Sequence, residues 1–452
     1  MTAQQLFVKT ALVCAQASAA VATWAQAPVM DLKQVYQAAL EQDATIRASR
    51  ATADSGRERL PQARAGLLPQ ISASAGRNNN NLDTTAPNIL GTPVTTNEKY
   101  LSDNKTLQLR QPLVNMQRWL QFQQAKSVVE EVEANLDRDL QNLVVRVAGV
   151  YFEALMADEQ LDLVLAQKKT YTALVDAAKK GLAAGSGTRT DIDDAQSRLD
   201  MAAAQELEAR QNQDLARRQL QLLVNQPVNQ IAKLNVAALQ LSAPMPANLD
   251  DWTRKAEQAS PEIRAMQARL DAARREVSKA QAGHLPTVDA VAQWSNSGSE
   301  NITRVNSRFE NKTIGLQLNI PLYSGGYVNS TIRQAVAEQT RAEESLEALR
   351  RDLGVRVHKE YRGVSEGVLR VRALEQAARS AEQMMKSTQM SLTAGSRTQL
   401  DVLNAQQQFT LALRDLAQAR LVYLLSKVRL ASLVGDDAMV SVEQVNGSLR
   451  VR

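Results

Sequence analysis

Apolar residues recur at spacings of three and four through residues 117–183, where Leu136, Leu140, Leu143, Val147, Val150, Ala154 and Leu155 share one stripe. That period predicts an α-helix. No proline interrupts the stretch, so a continuous helix would extend on the order of 100 Å. The same pattern returns over residues 329–392. Each long helix should turn and run back through a second helix of about ten turns. A helix of such length needs a neighbour to share a buried seam, as in a coiled coil or a tube.

Four other stretches alternate with a period of two. "PQISASAGR" puts Ile71, Ala73 and Ala75 on one face, and "TLQLRQPLV" does so with Leu107 and Leu109. "PTVDAVAQW" aligns Val288, Ala290, Ala292 and Trp294, and "TIGLQLNIPL" aligns Ile314, Leu316, Leu318 and Ile320. One apolar face at that period predicts strands, here over residues 70–81, 104–113, 286–295 and 312–322. Polar loops should join each pair. Strands of about ten residues can cross a bilayer when tilted. A shorter helical pattern precedes each pair, over residues 31–66 and 250–283.

The order of elements repeats, and so do short phrases. "AGSGTRTDIDDAQ" at 184–196 returns as "AGSRTQLDVLNAQ" at 394–406, and "ARAGLLPQ" at 63–70 as "AQAGHLPT" at 280–287. "LQLRQPL" at 107–113 likewise returns as "LQLNIPL" at 316–322. A duplication explains this, with a first repeat at 28–245, a second at 246–436 and a C-terminal tail at 437–452. The repeat is far longer than solenoid periods.

Composition narrows the class. Only 4% of the 452 residues are aromatic, while hydrophobic residues make up 44% and charged ones 22%. That mixture suits long helices packed through small side chains. The net charge of +5 is spread among interspersed acids and bases, so solvated faces are expected and nucleic acid is not. Residues 1–27 resemble a secretory signal, with Lys9 ahead of an apolar run over 10–21. Cleavage after Ala27, Ala25 or Ala22 fits the small residues there, although Pro28 disfavours the first. The one cysteine, Cys14, falls inside that signal, without a lipobox before it. No later stretch reaches the ~18 apolar residues of a spanning helix. An exported chain of this kind is either soluble beyond the cytoplasm or spans a membrane as a β-barrel. Four strands are too few to close one, since small barrels need about eight. His284 and His358 stand without metal-ligand spacing, and no nucleophile–base pair or phosphate loop is present. No enzyme, cofactor or metal is expected.

Together, "DLKQVYQAALEQDATIR", "QAGHLPTVD", "IPLYSGGYVNS" and "GSRTQLDVLNAQ" resemble the TolC family of outer-membrane channel-tunnels, over residues 30–434. The resemblance implies a mainly α fold with a small β part. Three protomers would form a twelve-stranded outer-membrane barrel, and their long antiparallel helices a periplasmic α-barrel. A periplasmic adaptor and an inner-membrane transporter would dock at its closed entrance to export proteins or small toxic compounds. Both repeated phrases would then be helix–helix turns at that entrance. Gly185, Ser186, Gly395 and Ser396 would be the adaptor-contacting tips.

Thr188-x-x-Asp191 and Thr398-x-x-Asp401 also resemble capping boxes that start the return helices. In the family, an arginine after the second turn ties to a Thr-Asp pair of the first and closes the tunnel. Arg397 matches the arginine, and Thr190 and Asp191 match its partners. The pore-facing acids map onto Asp401 and, departing from the pattern, Asn404. Leu392 replaces a tyrosine of the closing network. Asp194 is a candidate for the carboxylate lost at Asn404; the alternative is a solvated helix face. A rival reading is a secreted coiled-coil scaffold without a pore, for which the paired strands would have no use.

Overall fold

The computed structural model describes residues 29–300 and 307–450, so the expected signal, its cleavage sites and Cys14 lie outside the described residues. The chain forms two compact units, each drawing on both halves of the sequence. One comprises residues 48–138 and 258–352, and the other the remainder.

The first unit holds an antiparallel sheet of order β1-β2-β4-β5, built from β1 (Gln70–Pro87), β2 (Pro93–Val114), β4 (Thr287–Ser299) and β5 (Ser307–Asn319). Its register gathers the four apolar faces on one side. Ile71, Leu109, Ala292 and Ile314 form one cross-strand row, and Ala73, Leu107, Trp294 and Lys312 the next. Ser72, Gln108, Gln293 and Thr313 line the opposite side. On that polar side Arg110 Nε donates to Asp289 Oδ2 at 3.1 Å. A one-residue slip would move each strand's apolar set to the wrong face.

The strands run past their expected ends. Residues 82–87 and 93–103, expected as loop, extend the first hairpin. Hydrogen bonds between side chains hold them: Thr85 and Thr95 hydroxyls lie 2.7 Å apart, and Asn97 Nδ2 donates to Asn81 Oδ1 at 2.8 Å. Polar cross-strand pairs stabilise a ladder without an apolar face, so the alternation that marks a strand is missing. Asn88 turns the hairpin, its Oδ1 accepting from the backbone of Leu90 and Thr92. β4 continues to Ser299, while β5 stops at Asn319, leaving Ile320 beyond the strand. Pro321 follows, and proline has no N–H for a ladder.

The expected helix over 31–66 is broken into α1 (Leu32–Gln42), α2 (Ala44–Arg57) and α3 (Arg59–Ala65). Asp43 makes the first break. Its backbone is extended, its carboxylate accepts from Ile46 N at 3.1 Å, and Arg146 pairs with it at 2.7 Å. The helix expected over 250–283 divides likewise, into α6 (Leu249–Ala259) and α7 (Pro261–Gln281). Pro261 holds Ser260 extended.

The long helices are α4 (Met116–Ala183, 68 residues) and α8 (Tyr327–Thr393, 67 residues), contributing to both units. Their return helices are α5 (Arg189–Val224) and α9 (Gln399–Leu433). Along α5, Ala195, Ala202, Ala209 and Ala216 are buried every seventh residue. Ala209 packs with Leu161 and Val164 of α4, and Ala202 with Tyr171. A seven-residue repeat is the seam of a coiled coil.

The tail folds through residue 450. α10 (Ala438–Asn446) lies against α1 through Lys33 and Glu443 at 2.7 Å, and β6 (Leu449–Arg450) pairs with β3 (Lys233–Leu234). Tyrosine hydroxyls pin the connection between the halves. Tyr151 donates to Ala232 O at 2.9 Å, Tyr361 to Ala247 O at 2.6 Å, and Tyr423 to Ser242 O at 3.0 Å. Tyr423 sits deep because α8 offers glycines beneath it. A Cβ on Gly367 would meet the Tyr423 ring at 3.2 Å, and one on Gly363 would meet Ser426 Oγ at 2.6 Å. Gly363→Val is therefore expected to destabilise the fold by about 1–3 kcal/mol through overpacking, read by thermal unfolding. Unchanged stability would mean that Ser426 swings aside.

Candidate functional site

The repeated phrases form two turns of one design. α4 ends at Gly185, with φ of +76°, and α8 at Gly395, with φ of +77°. Both are left-handed conformations that glycine adopts without a Cβ penalty. The next serine closes each turn. Ser186 N donates to Gly181 O and Ser396 N to Ser391 O, both at 2.9 Å. Their hydroxyls donate to the same oxygens, at 3.2 and 3.1 Å. All four tip residues are exposed, but the serine hydroxyls are committed to their own turns.

Each return helix starts with the expected capping box. Thr188 Oγ accepts from Asp191 N at 3.2 Å, and Asp191 Oδ2 accepts from Thr188 N at 2.8 Å. Thr398 and Asp401 repeat this at 3.2 and 2.9 Å. Each aspartate thus spends Oδ2 on its cap and leaves Oδ1 outside it. The backbone N–H and hydroxyl of Thr398 hold the Asp401 carboxyl below the usual carboxylate range, and Arg397 adds to this.

The turns differ where the family pattern locates the latch. Arg397 lies exposed in the second turn, its Nη1 3.9 Å from Asp401 Oδ1; Gly187 holds the matching place in the first. Within the chain, Arg397 meets Asp401 rather than Thr190 or Asp191. Thr190 is exposed and Asp194 half-buried. Asn404 is joined by a residue that sequence reasoning missed: Arg198 of α5 donates to Asn404 Oδ1 and to Gln407 Oε1 of α9, each at 2.8 Å. The signal was the paired departure of Asn404 from acid and of Arg198 from the second repeat's Gln408.

Comparison with known proteins shows the family of the chain. The sequence profile described as "Outer membrane efflux protein" matches residues 35–226 and 252–436. The proteases secretion protein PrtF of Dickeya chrysanthemi is 31% identical, over 90% of this chain and 89% of its own. The alkaline protease secretion protein AprF of Pseudomonas aeruginosa is 33% identical, over 92% and 88%. Among solved structures, the outer membrane protein VceC of Vibrio cholerae shares the fold with a TM-score of 0.75 at 18% identity, over 90% of this chain and 96% of its own. With the two-faced sheet, the long helices and a profile match across most of its length, the chain belongs to the outer membrane efflux protein family and resides in the outer membrane.

Proposed function

We propose that three copies of this chain close a twelve-stranded barrel through the outer membrane and continue as a periplasmic helical duct. The duct is the exit of a type I protein-secretion machine, docked to a periplasmic adaptor and an inner-membrane transporter. The observation that carries this reading is the sheet. It is apolar on one face and polar on the other, and its outer strands β1 and β5 each have a partner on one side only. Open strand edges are untenable in lipid, and four strands are too few for a barrel. Cyclic symmetry joins the β5 edge of one copy to the β1 edge of the next. A scaffold without a pore would leave this sheet without a role. Secretion is favoured over small-molecule efflux because PrtF and AprF are both named for protease export. The two halves of the chain, 28–245 and 246–436, are read as duplicated repeats that each supply one entrance turn.

Two experiments test this. The protein should run as an SDS-resistant trimer from outer membranes and restore protease export to a strain lacking its secretion duct. A monomer in the soluble periplasmic fraction would overturn the reading. In planar bilayers, a ring of three Asp401 carboxylates should bind trivalent cations from the periplasmic side, because converging charges between protein walls focus the field. Block should fall several-fold in Asp401→Ala, and in high salt as the Debye length drops below about 10 Å. Asn404→Asp should add little, since Arg198 already reaches that position. Undiminished block in Asp401→Ala would reject the ring. Loss of block in Asp194→Ala would assign Asp194 to it.

A further inference from the structure

One rung beyond the apolar band, the same face of the sheet turns basic. Trp294 and Lys312 stand opposite each other at the edge of the band. Trp294 Nε1 donates to Glu310 Oε1 at 3.0 Å, and Lys312 pairs with that carboxylate at 3.1 Å. An indole with one wet edge marks the depth at which hydrocarbon gives way to headgroups. The next row carries Ala75, Lys105, Asn296 and Glu310, and the one after it Arg77, Asp103, Gly298 and Arg308. Side chains at alternate positions share a face, so Lys105, Arg77 and Arg308 project on the apolar side, just past it. All three are exposed and have no ion-pair partner among the described residues. With Lys312 occupied by Glu310, three cations face one carboxylate, Asp103.

We propose that Arg77, Lys105 and Arg308 form a clamp for the phosphates of an anionic glycolipid headgroup in the outer leaflet. The assignment rests on the membrane-spanning sheet read above. Charge complementarity and depth select the occupant: a phosphate at headgroup level meets these cations, whereas a soluble anion would be free to reach either face. Guanidinium groups suit it, because their forked donors match phosphate oxygens two at a time. In the proposed trimer, Arg308 on the β5 edge of one copy would approach Arg77 on the β1 edge of the next, so that each seam would carry one clamp.

The test uses detergent-purified full-length protein and counts retained lipid by native mass spectrometry. The probes are a bis-phosphorylated lipid A, its dephosphorylated form and phosphatidylglycerol. Bis-phosphorylated lipid A should be retained best and its dephosphorylated form poorly. Each cation removed should weaken retention about fivefold, so the triple variant Arg77→Gln/Lys105→Gln/Arg308→Gln should lose about a hundredfold. Lys99→Gln removes a charge on the same face, six residues further along β2, and should change little. The triple variant should keep its SDS-resistant oligomer and wild-type conductance, which separates failure of the clamp from failure to form the duct. Equal retention of the phosphorylated and dephosphorylated forms, wild-type retention by the triple variant, or an equal loss in Lys99→Gln would overturn the proposal. Preference for phosphatidylglycerol would overturn the glycolipid assignment.

Discussion

Leu316→Arg is expected to abolish assembly in the outer membrane, while Gln317→Arg, its immediate neighbour, is tolerated. Leu316 shares its face with Ile314 and Leu318 and is 73% exposed. In the proposed barrel only lipid would cover it. A guanidinium at mid-depth on that face costs roughly 2–4 kcal/mol, and a trimer would carry three. Gln317 points to the polar face, directly opposite Asp289. Asp289 already accepts Arg110 there, so a second arginine meets a carboxylate rather than hydrocarbon. The yield of SDS-resistant oligomer in outer-membrane fractions reads the difference. Equal yields would reject the assigned faces.

Arg397→Ser is expected to open the entrance. Asp191 Oδ2 is held by the cap of its own helix; in the proposed trimer, Oδ1 would be the acceptor for Arg397 of a neighbouring protomer. A single exposed pair is worth about 0–1 kcal/mol. Three related pairs would shift the closed–open balance by up to about a hundredfold. Open-state occupancy in planar bilayers should rise accordingly. Arg189→Ser is the control, because Arg189 reaches Asp193 on its own helix at 3.8 Å and should leave the closed state intact. Wild-type occupancy in Arg397→Ser, or an equal rise in Arg189→Ser, would remove Arg397 from the latch.

The sequence by itself determined the long helices, the return helices, both glycine turns and both capping boxes. Each rests on local physics: a 3.6-residue period, a residue that tolerates positive φ, and a threonine three positions before an aspartate. The apolar faces of the strands were legible for the same reason, because lipid demands strict alternation. The breaks at Asp43 and Ser260 were only partly so. Pro261 announced one of them, and at Asp43 a local cap on Ile46 N is joined by Arg146 from far along the chain, a partner that no local pattern shows. The extension of the first hairpin over residues 82–87 and 93–103 escaped because its faces are mostly polar, so its strands depend on cross-strand partners and not on a one-sided pattern. Asn404 is the sharpest case. The family resemblance implies a pore position short of one carboxylate, but the fold brings Arg198 to it at 2.8 Å from another helix. A residue's electrostatic partner is a matter of distance in space, and for Asn404 only the packing of α5 against α9 decided it.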